Sequence, residues 1–370
     1  MQRFDVIVAG AGPAGSTAAL NLAPFCRVAL LEARPDAPLR IGESLPPAAR
    51  RLLRDMGVLD SFAAEAHLPY HGNRSSWGSP QWSETDFLRD PDGHGWHLDR
   101  SQFEAWLRRT AVERGSALFA PVRLKAIERG GDSWKVLLAT TTGAITLGAN
   151  IVIDATGRVA NVARRIGACR HSSDRLLCGW ICEQAEQTIG RGAGFTHIQA
   201  TEEGWWYAAP IPGGRRMVAF HTDSDLPAAR MATQPAALLA NAPANGEFAE
   251  MLKPVISSNS GQRGVTFAGS SVLRPCAGCA WFAVGDAAMT FDPLSGQGLL
   301  NALFTGLAAA EAVDRQLRGW DDALPGYLQT LAGIEAAYRR HLRTWYQGET
   351  RWPNAPFWQR RHSAECELAS

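Results

Sequence analysis

The chain has 370 residues, which allows one or two domains with a substantial core. Its 37 basic and 36 acidic side chains nearly balance, which argues against nucleic acid or an anionic membrane as the main partner. No apolar run is long enough to span a bilayer; the best candidate, Leu299 to Val313, is interrupted by Asn301 and Glu311 and reads as a buried helix. The first strand begins at Phe4 and leaves no room for a signal peptide, so a cytoplasmic protein is expected.

Asp5 to Ala9 is a β-branched apolar run of the kind a buried parallel strand carries. Gly10, Gly12 and Gly15 follow in G-x-G-x-x-G spacing around Pro13 and Ala14, and Ser16 to Leu22 reads as a helix. The first glycine permits the tight turn, the second lets the backbone approach a pyrophosphate, and the third lets helix and strand pack closely. Free N–H groups at the helix start hold the phosphates. A second strand, Val28 to Leu31, ends at Glu32, followed by Ala33; a carboxylate there suits a ribose 2′-hydroxyl. This unit does not by itself separate NAD from FAD.

Arg40-Ile41-Gly42-Glu43-Ser44-Leu45-Pro46-Pro47 comes next, then a stretch rich in Tyr70, His71, Trp77, Trp82, His94, Trp96 and His97, then Leu98-Asp99-Arg100. A third buried strand ends in Asp154-Ala155-Thr156-Gly157. Residues 176–222 alternate as short strands: Leu176 to Glu183, Gly194 to Gln199, Trp205 to Ala209 and Met217 to Thr222. Turns fall at Gly190-Arg191-Gly192 and Pro212-Gly213-Gly214. The sheet adds His197, Trp205, Trp206, Tyr207 and His221 to the aromatic set. Aromatic side chains suit a pocket for a flat substrate, and they equally suit a core. Neighbours along Trp205-Trp206-Tyr207 face opposite sides, so only part of this cluster lines any pocket.

The seven cysteines form no disulfide framework, and the Cys178/Cys182 and Cys276/Cys279 pairs lack the matched spacing of a four-ligand zinc site. No metal is expected, and the cysteines read as buried packing residues. Trp281 to Asp286 forms a strand ending in Gly285-Asp286, and Pro293-Leu294-Ser295-Gly296-Gln297-Gly298 opens the next helix. Tyr338, Arg339, Arg340, Trp345 and the ending Arg351 to Arg361 read either as an aromatic and basic interface or as a helix packed over the nucleotide-binding part.

In this order these segments resemble the aromatic hydroxylase and flavin halogenase superfamily. The resemblance implies FAD and an α/β fold like that of p-hydroxybenzoate hydroxylase: a Rossmann-type FAD-binding domain, an antiparallel substrate sheet and C-terminal helices. The implied division is 1–70, 98–170 and 270–320 for FAD, 71–97 and 171–269 for substrate, and 321–370 for the helices. Asp286 is expected on the ribitol, and Pro293, Gly296, Gln297 and Gly298 along the pyrimidine, with helix N–H groups aimed at ring O2. Asp154, Ala155, Thr156 and Gly157 are expected beside the cofactor. Arg40, Glu43, Ser44 and Arg100 are expected at the ADP half or the flavin edge, with a solvated surface charge as the alternative for the two arginines.

Gly204 to Pro212 is similar to the halogenase Trp-x-Trp-x-Ile-Pro signature, but out of register. A halogenase also needs a lysine near the substrate, and none occurs before Lys125, so chlorination is not expected. The Arg40–Pro47 opening, the Trp-Trp-Tyr-x-x-Pro strand, the Thr222-Asp223-Ser224-Asp225 turn and the Arg351–Arg361 ending resemble the flavoprotein maturases of tryptophylquinone enzymes, of the lysine-oxidase and glycine-oxidase type. That resemblance implies a monooxygenase acting through a flavin hydroperoxide on a tryptophan of a precursor protein. NAD(P)H or a separate flavin reductase would supply electrons. His71, Trp206, His221 and Pro293 are the candidate catalytic residues, a histidine serving as general base. A small-molecule hydroxylase or halogenase-like enzyme, and a non-catalytic FAD-containing chaperone, remain as alternatives.

Overall fold

The computed structural model describes residues 1–36, 39–185, 194–234, 238–253, 255–256 and 261–363. Five strands pair in parallel, in the spatial order Trp281–Ala283, Gly143–Asp154, Gln2–Ala9, Val28–Leu31 and Ala117–Phe119. The central ones are apolar on both faces because helices cover both sides; Val6, Ile7, Val8, Ile153 and Leu30 are fully buried. An antiparallel meander, Arg123–Gly130 and Ser133–Thr140, extends from the long Gly143–Asp154 strand. Helices Pro13–Leu22 and Gly298–Leu317 lie side by side at its heart. Their approach needs Gly306, whose added Cβ would stand 2.4 Å from the Ala14 carbonyl oxygen.

The second sheet runs Val255–Ile256, Leu176–Ala185, Arg215–Asp223, Gly204–Ile211, Phe195–Thr201, Gly72–Ser76 and Ser83–Asp86. Gln262–Phe267 also pairs with Leu176–Ala185. All pairings are antiparallel except that of Phe195–Thr201 with Gly72–Ser76. Each of the four expected strands is present and slightly longer than expected. The Gly190–Gly192 turn lies outside the described residues. The 70–97 stretch adds its hairpin at the sheet edge, while Gly95–His97 pairs with Ser44–Leu45 and Leu68–Tyr70 and so ties the two parts together.

Strand periodicity gives this sheet two different faces. Trp206, Ala208, Val218 and Phe220 point outward and pack with Ala232, Phe248 and Met251. Trp205, Met217, Ala219, Cys178 and Cys182 point inward, where Tyr346, Phe357 and Trp358 meet them. The C-terminal segment therefore covers the substrate sheet rather than only the nucleotide-binding part. Helix Ala323–Gln347 packs on the first core through Tyr327 and Tyr338 and reaches the sheet's inner-face cluster at Tyr346, where the separate helix Pro356–Ser363 joins it through Phe357 and Trp358. The arginines of the ending are tied down, Arg361 and Arg360 to Asp223 and Arg351 to the buried Glu349, whereas Arg339, Arg340 and Arg343 of the long helix are exposed. The cysteines depart from expectation too. Cys178, Cys182 and Cys276 are buried, but Cys169 and Cys279 are exposed because they lie at strand ends on the surface.

Candidate active site

The Gly10–Gly15 turn joins the first strand to its helix as its spacing implies. Gly10 adopts φ +107°, and its added Cβ would lie 2.3 Å from the Ala155 oxygen. At Gly15 the added Cβ would lie 1.9 Å from the Gly10 oxygen, so strand, helix and the Ala155 loop touch backbone to backbone. At Gly12, by contrast, no atom of the chain lies within 4 Å of that position, and no side chain caps the helix that follows. Pro13, half-buried, and Ala14, buried, form its first turn. Glu32 accepts hydrogen bonds from the Ala11 N–H at 3.0 Å and the Arg34 N–H at 2.9 Å, with Ala33 exposed beside it. Arg108, which the sequence reading missed, donates to the Pro35 carbonyl at 2.7 Å and stands 3.8 Å from Glu32.

A second open cradle forms at the start of the Gly298–Leu317 helix. Added Cβ atoms at Gly157, Gly296 and Gly298 would meet nothing within 4 Å, and Gln297 provides no side-chain cap. Gly285 reaches Ala14 closely, at 2.8 Å for its added Cβ, which brings the two helix starts together. Asp286 keeps its carboxylate partly exposed, 3.5 Å from the Arg158 guanidinium. Pro293 begins the turn, exposed, and Asp292 behind it accepts from the Leu294 N–H at 2.9 Å.

Other expected cofactor residues turn inward. Asp154 is fully buried and accepts from the Thr156 N–H and hydroxyl and the Ala163 N–H at 2.6–2.9 Å. It holds its loop instead of offering oxygens outward, and burial raises its pKa against those bonds. Glu43 is also buried; it accepts from its neighbour Gly42 N–H at 2.8 Å and from the Tyr207 hydroxyl at 2.6 Å. Arg100 donates to the Gly42 carbonyl at 2.8 Å and pairs with Glu104 at 2.5 Å, so it latches the Arg40–Ser44 loop. Arg40 is exposed, and Ser44 is half-buried beside Tyr207.

The candidate catalytic residues are not brought together. Trp206 lies on the outer face, against Phe220 and Phe248, because the strand's register puts Trp205 and Tyr207 inward. His221 does face inward, but it stacks under Trp205 at 3.6 Å and 5° and is essentially unexposed. Burial lowers its pKa to about 3, so it stays neutral. His71 is exposed at the hairpin edge, its ring beside His94 and Phe195. Only Pro293 adjoins the open cradle. Half-buried Ile41, Ile198, Tyr207 and Leu294 all pack against the inner-face cluster, and Leu294 follows Pro293 in the turn that opens the cradle.

Two uncapped helix starts, glycines facing open space and one available carboxylate make a fitting cradle for a dinucleotide with a flat ring. The comparisons agree. A family model for the FAD binding domain matches residues 3–323. The chain belongs to this FAD-binding family. It is 28% identical over 368 residues to the FAD-dependent oxidoreductase LodB of Marinomonas mediterranea, covering 98% of both chains. It is 27% identical to the flavin-dependent halogenase gsfI of Penicillium aethiopicum, over 86% of this chain and 66% of that one. Among solved structures, the myxobacterial chondrochloren halogenase CndH matches with a TM-score of 0.89 at 23% identity, over 99% of this chain and 87% of its own. The peptidyl tryptophan dihydroxylase QhpG matches with a TM-score of 0.77 at 23% identity, over 97% and 78%. The cofactor is FAD and this family member is an FAD-dependent oxidoreductase. Among the described residues, no helix is long and apolar enough to cross a membrane. Nor do they contain a group of three or more His, Cys, Asp or Glu placed to hold a metal ion.

The turn that opens the second cradle carries a titratable anchor. Asp292 is buried, and its carboxylate accepts from the Tyr346 hydroxyl at 2.7 Å. Burial first, then the nearby Asp174 charge, raises its pKa to about 6, against the pull of Arg361 and Tyr346. The folded state thus holds this proton more tightly than the unfolded chain. Its stabilising effect is complete below the ordinary carboxyl pKa and is lost as pH rises toward about 6, a change of up to about 3 kcal/mol. Asp292→Asn carries no charge and should therefore gain stability over wild type as pH rises through that window. Urea unfolding on either side of the window measures the difference; a pH-independent gap would rule the account out.

Proposed function

We propose that this chain is a monooxygenase that hydroxylates an electron-rich aromatic group, the side chain of a tryptophan in a partner protein during quinone cofactor maturation. The observation that carries the reading is that Ile41, Ile198, Tyr207 and Leu294 are half-buried against the inner-face cluster of the substrate sheet, Leu294 lying in the Pro293–Ser295 turn that opens the second cradle. LodB matches along its whole length, and QhpG, a peptidyl tryptophan dihydroxylase of tryptophylquinone biogenesis, shares the fold. The three lysines support hydroxylation over halogenation: Lys125, Lys135 and Lys253 are all exposed, on the meander and the outer layer.

Gly10, Gly12, Pro13, Ala14 and Gly15 would hold the pyrophosphate, Glu32 a ribose, Asp286 the ribitol, and Pro293 to Gly298 the ring. Bound FAD, reduced by NAD(P)H or through a separate reductase, supplies the activation of dioxygen. The chain's own contribution is to bind the aromatic group against Ile198, Tyr207 and Leu294, exclude water there, and fix its distance from the ring. The division into FAD-binding segments, substrate sheet and C-terminal helices keeps the boundaries given above.

The test supplies reduced, FAD-loaded protein with labelled dioxygen, halide and either a tryptophan-containing precursor or indole. Labelled oxygen in the tryptophan, seen by mass spectrometry, is the expected result. A halogenated product, or no oxygen-dependent product with either aromatic, would overturn it, the second outcome favouring the chaperone alternative.

A further inference from the structure

Five polar groups from four separate parts of the chain form one chain of contacts. The Tyr207 hydroxyl donates to Glu43 Oε1 at 2.6 Å. Ser44 Oγ stands 3.1 Å from the Tyr207 oxygen, 3.3 Å from His97 Nδ1 and 3.4 Å from Thr196 Oγ1. Glu43 makes no ion pair among the described residues; Arg100, the nearest cation acting on it, spends its guanidinium on Gly42 and Glu104. His97 is fully buried under Tyr70, at 4.6 Å between rings, and its Nε2 faces the Gly194 carbonyl without a well-formed hydrogen bond. Glu43, His97 and Thr196 are sealed, while Tyr207 and Ser44 remain partly exposed. The network therefore has an opening, and Tyr207 is its largest group there.

A buried carboxylate with no cation beside it is costly unless something uses it. We propose that Tyr207 contacts the aromatic substrate and, with Glu43, forms a relay that takes up the proton the ring loses on oxygenation. The inference rests on the oxygenation reading above. The ring C–H bond breaks with its electron pair staying in the ring. That proton goes to the Tyr207 oxygen as the Tyr207 proton moves to Glu43 Oε1, so Tyr207 exchanges one O–H bond for another, Glu43 gains the single O–H bond that replaces the ring C–H bond, and no electrons are exchanged. Burial holds the Glu43 carboxyl above the usual carboxylate range, against the Tyr207 bond, which makes it a better proton acceptor than a solvated glutamate. Ser44 and His97 continue the path on the other side of Tyr207. Burial keeps the His97 ring neutral, with a pKa of about 3, so it can accept at one nitrogen and donate at the other.

Infrared difference spectra of the FAD-loaded protein, titrated with and without saturating indole, read the relay without turnover. The expected result is a protonated-carboxyl band, absent from Glu43→Gln, whose midpoint shifts by about one pH unit when indole binds. In Tyr207→Phe the band should persist and ignore indole. In turnover, both variants should lose roughly tenfold to hundredfold in kcat with KM and FAD content little changed, and Glu43→Gln should lose the acid limb of the pH profile. A wild-type band that ignores indole, or a Glu43→Gln protein with wild-type kcat and pH profile, overturns the proposal. Should Glu43→Gln fold poorly, its low FAD content reveals this, and Tyr207→Phe carries the test alone. Should wild type oxygenate no aromatic, the oxygenation reading fails and the relay falls with it, whereas oxygenation without an indole shift overturns the relay alone.

Discussion

Gly10→Ala is expected to yield a less stable protein that purifies without its flavin. The added methyl would sit 2.3 Å from the Ala155 oxygen, and the residue would keep a φ of +107° that L side chains rarely adopt. Neither side can yield easily. Gly10 follows Ala9, which pairs with Asp154, and the Ala155 N–H donates back to the Ala9 carbonyl at 2.8 Å. Relief requires opening the centre of the parallel sheet or shifting the glycine turn proposed to hold the pyrophosphate. We expect FAD to bind at least roughly a hundredfold more weakly, about 2.7 kcal/mol, with a lowered Tm of the apoprotein. Gly12→Ala is the control, because its methyl meets nothing in the chain and its backbone is ordinary. It should weaken FAD while leaving the apoprotein Tm near wild type. Fluorimetric titration and thermal melts separate the two; a Gly10→Ala protein with unchanged Tm and flavin content would refute the packing argument.

Arg361→Ala is expected to cost about 3–5 kcal/mol in stability, far more than a surface arginine. Its guanidinium meets both oxygens of Asp223 at 2.8 and 3.2 Å and donates to the Phe357 carbonyl at 2.9 Å. It also lies over the Phe357 ring at 3.5 Å and the Tyr346 ring at 5.0 Å. Asp223 is 3% exposed, so truncation leaves a buried carboxylate with only the more exposed Arg360, 3.1 Å away. That remaining partner places the expected loss at the lower end of the range. Adding Asp223→Asn should recover part of it, because the stranded charge disappears. Urea unfolding of the two single variants and the double one gives the coupling; a single-variant loss under about 1 kcal/mol would contradict the buried pair.

Local patterns made much of this architecture readable. The glycine turn, Glu32, Gly285-Asp286 and the Gly296–Gly298 turn are short-range signals tied to one backbone task, and each occupies the place its spacing implies. The four sheet strands were visible because alternation survives in a sheet covered differently on its two faces. Which face is inner was not visible. Period-two alternation says that Trp205 and Trp206 oppose each other, but only the position of Phe248 and Trp358 in space decides which one looks toward the cofactor. The same limit applies to Asp154 and Glu43. A carboxylate next to a glycine-rich loop reads as a ligand contact until Ala163 and Tyr207 are seen to use its oxygens. Which C-terminal arginines are tied down is equally invisible locally, because Asp223, the partner of Arg360 and Arg361, is more than a hundred residues earlier.

The docking of Pro356–Ser363 under the sheet also sets the order in which a molecule becomes complete. The first strand lacks its Gly143–Asp154 neighbour until that segment has been synthesised, and the second cradle waits for Gly285 to Gly298. The inner side of the sheet, with Trp205 and Trp180, has no cover until Phe357 and Trp358 leave the ribosome. Such distant pairings are slow to form and leave apolar surface uncovered meanwhile. Flavin capture is therefore expected only after Gly285 to Gly298 has been made, and yield during production should respond to slower synthesis and lower temperature more than to added FAD.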